Sequence, residues 1–173
     1  MTTLDRRARS AARGGAAGPT HAARLTVSVS DGRGRAVRAP GLGAWLAQVA
    51  PRTARGEVAI AIVGDRTVRA LNRKYRGEDR VTDVLSFVPG GGEGPDAERH
   101  LGDIVIARGV AARQAREAAH PLATELKVLA LHGLLHLLGF DHESDTGEMA
   151  RLEKRLRRRG GLPSGLIERG KGR

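Results

Sequence analysis

Apolar and polar positions alternate from Leu25 to Val29, with Thr26 and Ser28 between Leu25, Val27 and Val29. A period of two predicts a half-buried strand, and Asp31-Gly32 closes it as a turn. After Pro40 the period lengthens, so that Leu42, Trp45, Leu46 and Val49 share one helical face. Residues 58–63 are apolar without a break, which predicts a central strand buried on both sides. A helix follows, with Asp65 read as its cap, Val68 and Leu71 inward, and Arg66, Arg69 and Arg73 outward. It ends near Tyr75-Arg76-Gly77. Residues 84–88 and 104–107 predict two more strands, the first stopped by Pro89 and a glycine-rich loop, the second led in by Leu101-Gly102-Asp103. Residues 110–119 read as a helix. From Pro121 a longer one runs to about Leu138, and from Val128 onward it is apolar nearly all round, the mark of a central, buried helix. Asp145-Thr146-Gly147-Glu148 has the form of a capping box with Asp in the capping role, opening a last helix with Met149, Leu152 and Leu156 on one face.

Composition narrows the classes. A chain of 173 residues supports one domain with a real core rather than two. With aromatics at 2%, Leu, Val, Ile and Ala must fill that core. The absence of cysteine excludes disulfides, thiolate zinc sites and a cysteine nucleophile, and suits a cytoplasmic protein. No apolar run approaches the roughly 18 residues of a membrane span, so no membrane association is expected. Arg6, Arg7, Arg9 and Arg13 have no apolar stretch behind them, unlike a secretory signal. The net charge of +11 is uneven: +3 over residues 1–22, +7 over 151–173, and about +1 over everything between. The expected organisation is a disordered basic extension over 1–22, a folded domain over 23–160 and a basic tail over 161–173. Basic ends attract nucleic-acid phosphates or simply keep a chain soluble, and charge alone does not separate the two.

The segment that carries chemistry is His132-Gly-Leu-Leu-His136-Leu-Leu-Gly139-Phe-Asp-His142. Two histidines four apart on a helix lie one above the other and can reach one ion. Gly139 stands where the helix should end, and a left-handed glycine there turns the chain so that His142 can return as a third ligand. Three neutral imidazoles leave one tetrahedral position open, as in catalytic rather than structural zinc. The alternative is three ordinary histidines. Imidazoles on a nearly all-apolar helix need polar partners, however, because unpaired burial costs roughly 1–3 kcal/mol each, and a metal satisfies them. Zinc suits an all-imidazole set, one ion per chain. A large class of zinc proteases shares this spacing, but with Glu after the first His as general base; here that position is Gly133, which argues against peptide hydrolysis. Asp141 is either a partner that orients a ligand histidine or a turn residue.

Taken with four other stretches, this segment resembles the signature of the YbeY family of bacterial endoribonucleases and rRNA maturation factors. Leu71-Asn72-Arg73-Lys74-Tyr75-Arg76, Thr82-Asp83-Val84-Leu85-Ser86-Phe87, Leu101-Gly102-Asp103-Ile104-Val105-Ile106, and Glu148-Met149 with Glu153 are similar to family segments and come in the same order. The resemblance spans about residues 23–160. It implies an α/β (α+β) fold, a small mixed sheet packed with helices whose central helix carries the metal ligands. It also implies zinc on His132, His136 and His142, a functional role for Arg76, and single-strand-specific cleavage of RNA in late maturation of the 16S rRNA 3′ end and in quality control of the 70S ribosome. The partners it implies are rRNA, the small ribosomal subunit and single-stranded RNA. Val88 before Pro89, the run Gly90-Gly91-Gly92, a single Met149 where the family commonly has a pair, and both basic ends depart from the pattern.

Chemistry gives Arg76 two readings. Its planar fork matches a phosphate in two-point contact, or it is a surface residue pairing with Glu78 or Asp79. Thr82, Asp83 and Ser86 either line the cleft or hold the strand start. Arg66, Arg69, Arg73, Lys74, Arg76 and Arg80 form a basic stretch that either guides single-stranded RNA or is a solvated helix face. The competing functional classes are a non-catalytic ribosome assembly factor with a structural metal, and another kind of metallohydrolase.

Overall fold

The computed structural model of the chain describes residues 24–37, 39–90, 100–140 and 146–162. Its elements follow the hydrophobic pattern: β1 (Thr26–Asp31), α1 (Leu42–Val49), β2 (Glu57–Val63), α2 (Asp65–Arg76), β3 (Val84–Phe87), β4 (His100–Ala107), α3 (Arg108–Glu117), α4 (Leu122–Leu137) and α5 (Glu148–Arg159). The four strands form one mixed sheet in the order β1-β2-β4-β3. β1, β2 and β4 are parallel, and β3 runs antiparallel on the β4 edge.

The interior strands explain why their sequences are apolar throughout. Val58, Ile60, Ile62, Ile104 and Ile106 point to one face and join the main core with α1, α4 and α5. Val63, Val105 and Ala107 point to the other and meet Val68 and Leu71 of α2, with Leu85 and Phe87 of β3. A strand covered on both faces has no solvated side on which polar residues would be stable. α4 is the hub: Leu131, Leu134 and Leu135 are fully buried, and the helix touches α1, α3, α5, β3 and β4. Burying each such leucine contributes about 1.5–3 kcal/mol.

Three expectations change in detail. β4 begins at His100 rather than 104, because residues 100–103 continue the ladder to β2 across an irregularity at Glu57/Val58. α5 begins at Glu148 with Gly147, which has no side chain to cap with, in its cap position, so Glu148 is the first helical residue rather than the third of a capping box. Asp145 itself lies outside the described residues. Asp65 does not cap α2, whose cap position is Gly64. Its carboxylate instead accepts from the N–H groups of Gly109 at 2.8 Å and Val110 at 3.2 Å, and from Arg113 at 3.1 Å. It therefore caps α3, from 44 residues away in sequence, at a helix whose own cap residue, Ala107, has no side-chain oxygen to offer. The expected extension over 1–22 and residues 163–173 of the expected tail lie outside the described residues.

Candidate metal centre

α4 presents His132 and His136 on one face, one turn apart. Their Nε2 atoms stand 3.1 Å from each other, with ring centroids 4.7 Å apart and the planes at 77°. Two nitrogens on one tetrahedral zinc, at Zn–N of about 2.0–2.1 Å, would be about 3.3 Å apart. The two ring edges therefore already converge at nearly the spacing one ion requires. His132 is partly open, with its side chain 30% exposed.

Behind His132 stands a carboxylate. Glu153 Oε2 lies 3.4 Å from His132 Nδ1, and its other oxygen accepts a short bond from Arg157. An ionised carboxylate can only accept, so this contact places the proton on Nδ1 and turns the Nε2 lone pair of a neutral His132 toward His136. Such a carboxylate–histidine pairing is the usual way a metal-binding imidazole is held in its tautomer. Burial pushes the Glu153 carboxyl up, but the His132 bond and the Arg157 charge more than offset this, and its pKa lies below the ordinary value. Glu153 and Arg157 are both buried.

The backbone around the pair is set by the sheet. Ser86 of β3 donates to the Gly133 carbonyl at 3.1 Å. A Cβ at Gly133 would stand 2.8 Å from Ile104 Cγ2 and 3.1 Å from Ser86 Oγ. Position 133 thus faces the sheet, not the open side of the histidines, and there is no room for the carboxylate that zinc proteases carry after the first histidine. The helix ends as expected at Gly139, whose φ of 85° is left-handed. His142, the third expected ligand, and Asp141 lie outside the described residues. Among the described residues no three His, Cys, Asp or Glu side chains cluster around one point. The donor set fits zinc: two converging imidazoles, one already backed by a carboxylate.

Arg76 is placed elsewhere. It is exposed in the last turn of α2, on the sheet face opposite α4, and Gly77 caps the helix in a left-handed conformation. The preceding Tyr75 packs edge-on against Phe87 at 5.1 Å, next to Ser86 on the edge strand. Among the described residues Arg76 makes no contact with either histidine, and its helix and theirs pack against β3 and β4 from opposite faces. Asp83 is structural: its carboxylate accepts from the Val84 N–H at 2.8 Å and from Gln114 of α3 at 2.9 Å. Thr82 also bonds it, at 3.3 Å. Buried Asn72 donates to the Arg80 carbonyl at 2.9 Å and holds the loop after α2. The residue sequence reasoning passed over is Glu153 as the partner of His132. Its signal was a charged side chain at an inward position of α5, between Met149 and Leu156.

The chain is similar to known proteins over most of the described region. A family described as "Endoribonuclease YbeY" matches residues 42–160. A protein of that name from Solibacter usitatus is 56% identical over 108 residues, covering 62% of this chain and 69% of the relative. Another, from Koribacter versatilis, is 47% identical over 115 residues, covering 66% and 72%. The solution structure of TM1509 from Thermotoga maritima superposes with a TM-score of 0.52 at 25% identity, over 85% of this chain and 100% of that one.

Proposed function

This chain belongs to the YbeY family of endoribonucleases, RNA hydrolases, and from that premise we propose that it is a zinc-dependent, single-strand-specific endoribonuclease whose centre is built on His132, His136 and His142. The observation that carries this reading is the 3.1 Å convergence of the two Nε2 atoms with Glu153 behind one of them. One zinc per chain would be held by the three imidazoles, and when bound it would supply a Lewis acid for a phosphate oxygen. The chain's own groups do the rest. Glu153 keeps His132 in the binding tautomer and orientation. The Gly133 carbonyl, tied to Ser86, anchors the helix to the sheet so that the histidine spacing is held. Arg76 takes the scissile phosphate in a two-point grip and stabilises the charge that builds on it. The substrate is ribosomal RNA on the small subunit, the task late maturation of the 16S 3′ end and quality control of the 70S ribosome, and the compartment the cytoplasm.

The test is cleavage of single-stranded RNA by the wild type and by His132→Ala, prepared in parallel. Loss of cleavage in the variant is expected; equal cleavage by both would trace the activity to a contaminating nuclease. A second reading, a non-catalytic assembly factor with a structural metal, draws on the sheet-facing position of Gly133, which removes the general base the spacing carries elsewhere. Under that reading His136→Ala unfolds the protein, while a folded Arg76→Glu variant still matures the rRNA 3′ end in depleted cells.

A further inference from the structure

Two helices carry rows of cations, and they differ in where they pack: α2 covers the sheet face away from α4, and α5 packs on the histidine helix itself. On α2 and its following loop, two of the six cations have a carboxylate partner among the described residues. Arg69 grips Asp79 with two bonds of 2.9 Å, and Arg80 pairs with Glu78 at 2.7 Å. On α5, Arg151, Lys154, Arg155 and Arg158 fall at i, i+3, i+4 and i+7 and are all exposed. None of the four is paired with a carboxylate among the described residues; Arg151 donates only to the Thr146 carbonyl, at 3.2 Å. The one carboxylate in the body of the helix, Glu153, is turned inward to His132 and Arg157.

Like charges three and four residues apart repel along a helix surface. This row places Arg151 against Lys154 and Arg155, and Arg158 against the same two. The helix dipole favours cations only in the last turn, so it offsets Arg158 but not the others. A row so arranged matches an external polyanion. It does not match a membrane: the exposed large apolar side chains among the described residues are Tyr75, Val81 and Val88, none on α5, and a helix lying in a lipid interface needs an apolar face to insert. Its position also fits. The inner face of α5 touches His132, so the row lies about one helix diameter, 10–12 Å, from the histidine pair.

We propose that the outer face of α5, through Arg151, Lys154, Arg155 and Arg158, is a track for the phosphate backbone of single-stranded RNA that continues the histidine site. This rests on the reading of that site as a centre acting on RNA. The test measures binding of a fluorescent oligouridylate of about fifteen nucleotides by anisotropy, over a salt series, with the full chain. The variants are a fourfold Arg151→Gln, Lys154→Gln, Arg155→Gln, Arg158→Gln change, a Lys154→Gln, Arg155→Gln pair in case the fourfold change misfolds, and an α2 control with Arg66, Arg69, Arg73 and Lys74 changed to Gln. The fourfold change is expected to weaken binding about tenfold or more at low salt and to flatten the plot of log affinity against log salt by about 0.7 per lost contact. The pair should give about half that flattening, and the α2 control far less. If both α5 variants bind as tightly and as steeply as the wild type, which does bind, the track is wrong and the RNA reading stands. A wild type that binds no RNA overturns both. If the wild type sediments with phosphatidylserine vesicles, the α5 variants do not, and RNA binding is the same for all, the row is a membrane contact and the track is likewise overturned.

Discussion

Gly133 shows at the scale of one residue how packing decides chemistry. The histidine spacing is that of zinc proteases, but position 133 lies against Ile104 and Ser86, so even a methyl group there must displace a fully buried side chain. Gly133→Ala should therefore destabilise the fold by about 1–3 kcal/mol in urea unfolding, despite alanine's better helix propensity. Gly133→Glu should cost more and yield no peptidase. Glu153 is the second informative position. Glu153→Gln keeps the shape but removes the carboxylate that turns the His132 lone pair outward. Zinc affinity measured by competition with a chelating dye should fall about 10–100-fold, with the far-UV spectrum unchanged. The need for Gly at 133 was visible in the sequence only as a departure from a motif. Which neighbour excludes a side chain there depends on β3 and β4, separated from it in the chain and brought up by the fold.

Among the elements, α3 depends on a partner its own sequence does not contain. Its N-terminal N–H groups at Gly109 and Val110 are satisfied by Asp65, and a Cβ at Gly109 would meet that carboxylate at 2.5 Å. Asp65→Ala should cost about 0.5–2 kcal/mol in thermal or urea unfolding, and hydrogen exchange should speed at Gly109 and Val110 rather than at the start of α2. The docking of α5 on α1 can be followed through the single tryptophan. Trp45 Nε1 donates to the Gly160 carbonyl at 2.9 Å, and Gly160 sits so close to the ring that a Cβ there would approach within 2.7 Å. Trp45→Phe should lower stability by about 1 kcal/mol beyond any change in packing. Helices and strands were legible because their periodicity is local and strong: α1 buries the face its spacing predicts, and α2 and α5 bury Val68, Met149 and Leu156 as expected, but add the polar Asn72, Glu153 and Arg157, which periodicity did not mark. Their caps were not, since an orphan N–H can be satisfied by any nearby oxygen, and Asp65 reads as a local cap until α3 is folded beside it.

Across the whole molecule, metal and fold are expected to be linked. An ion held by the folded chain and not by the unfolded one raises stability by about 2.7 kcal/mol at a hundredfold excess over its dissociation constant. Added zinc should raise the melting temperature, a chelator should reverse this, and His136→Ala should abolish the response; a wild type indifferent to zinc would count against the centre. Charge also acts at this scale. The basicity concentrates beyond residue 150 and in the first 22 residues, while the region between is nearly neutral. The sequence by itself determined the order and kind of the elements, the all-apolar strands of a two-faced sheet, the one-turn spacing of His132 and His136, and the glycine that ends their helix, because each of these is written in near-neighbour periodicity. Only the tertiary structure decided that Glu153 stands behind His132, that Gly133 is closed off by the sheet, that Asp65 serves α3, and that the cations of α5 ride on a helix packed against the histidines while those of α2 lie across the sheet from them. Each of those depends on a residue far along the chain, and the distance that matters to a proton, a charge or a methyl group is measured through space.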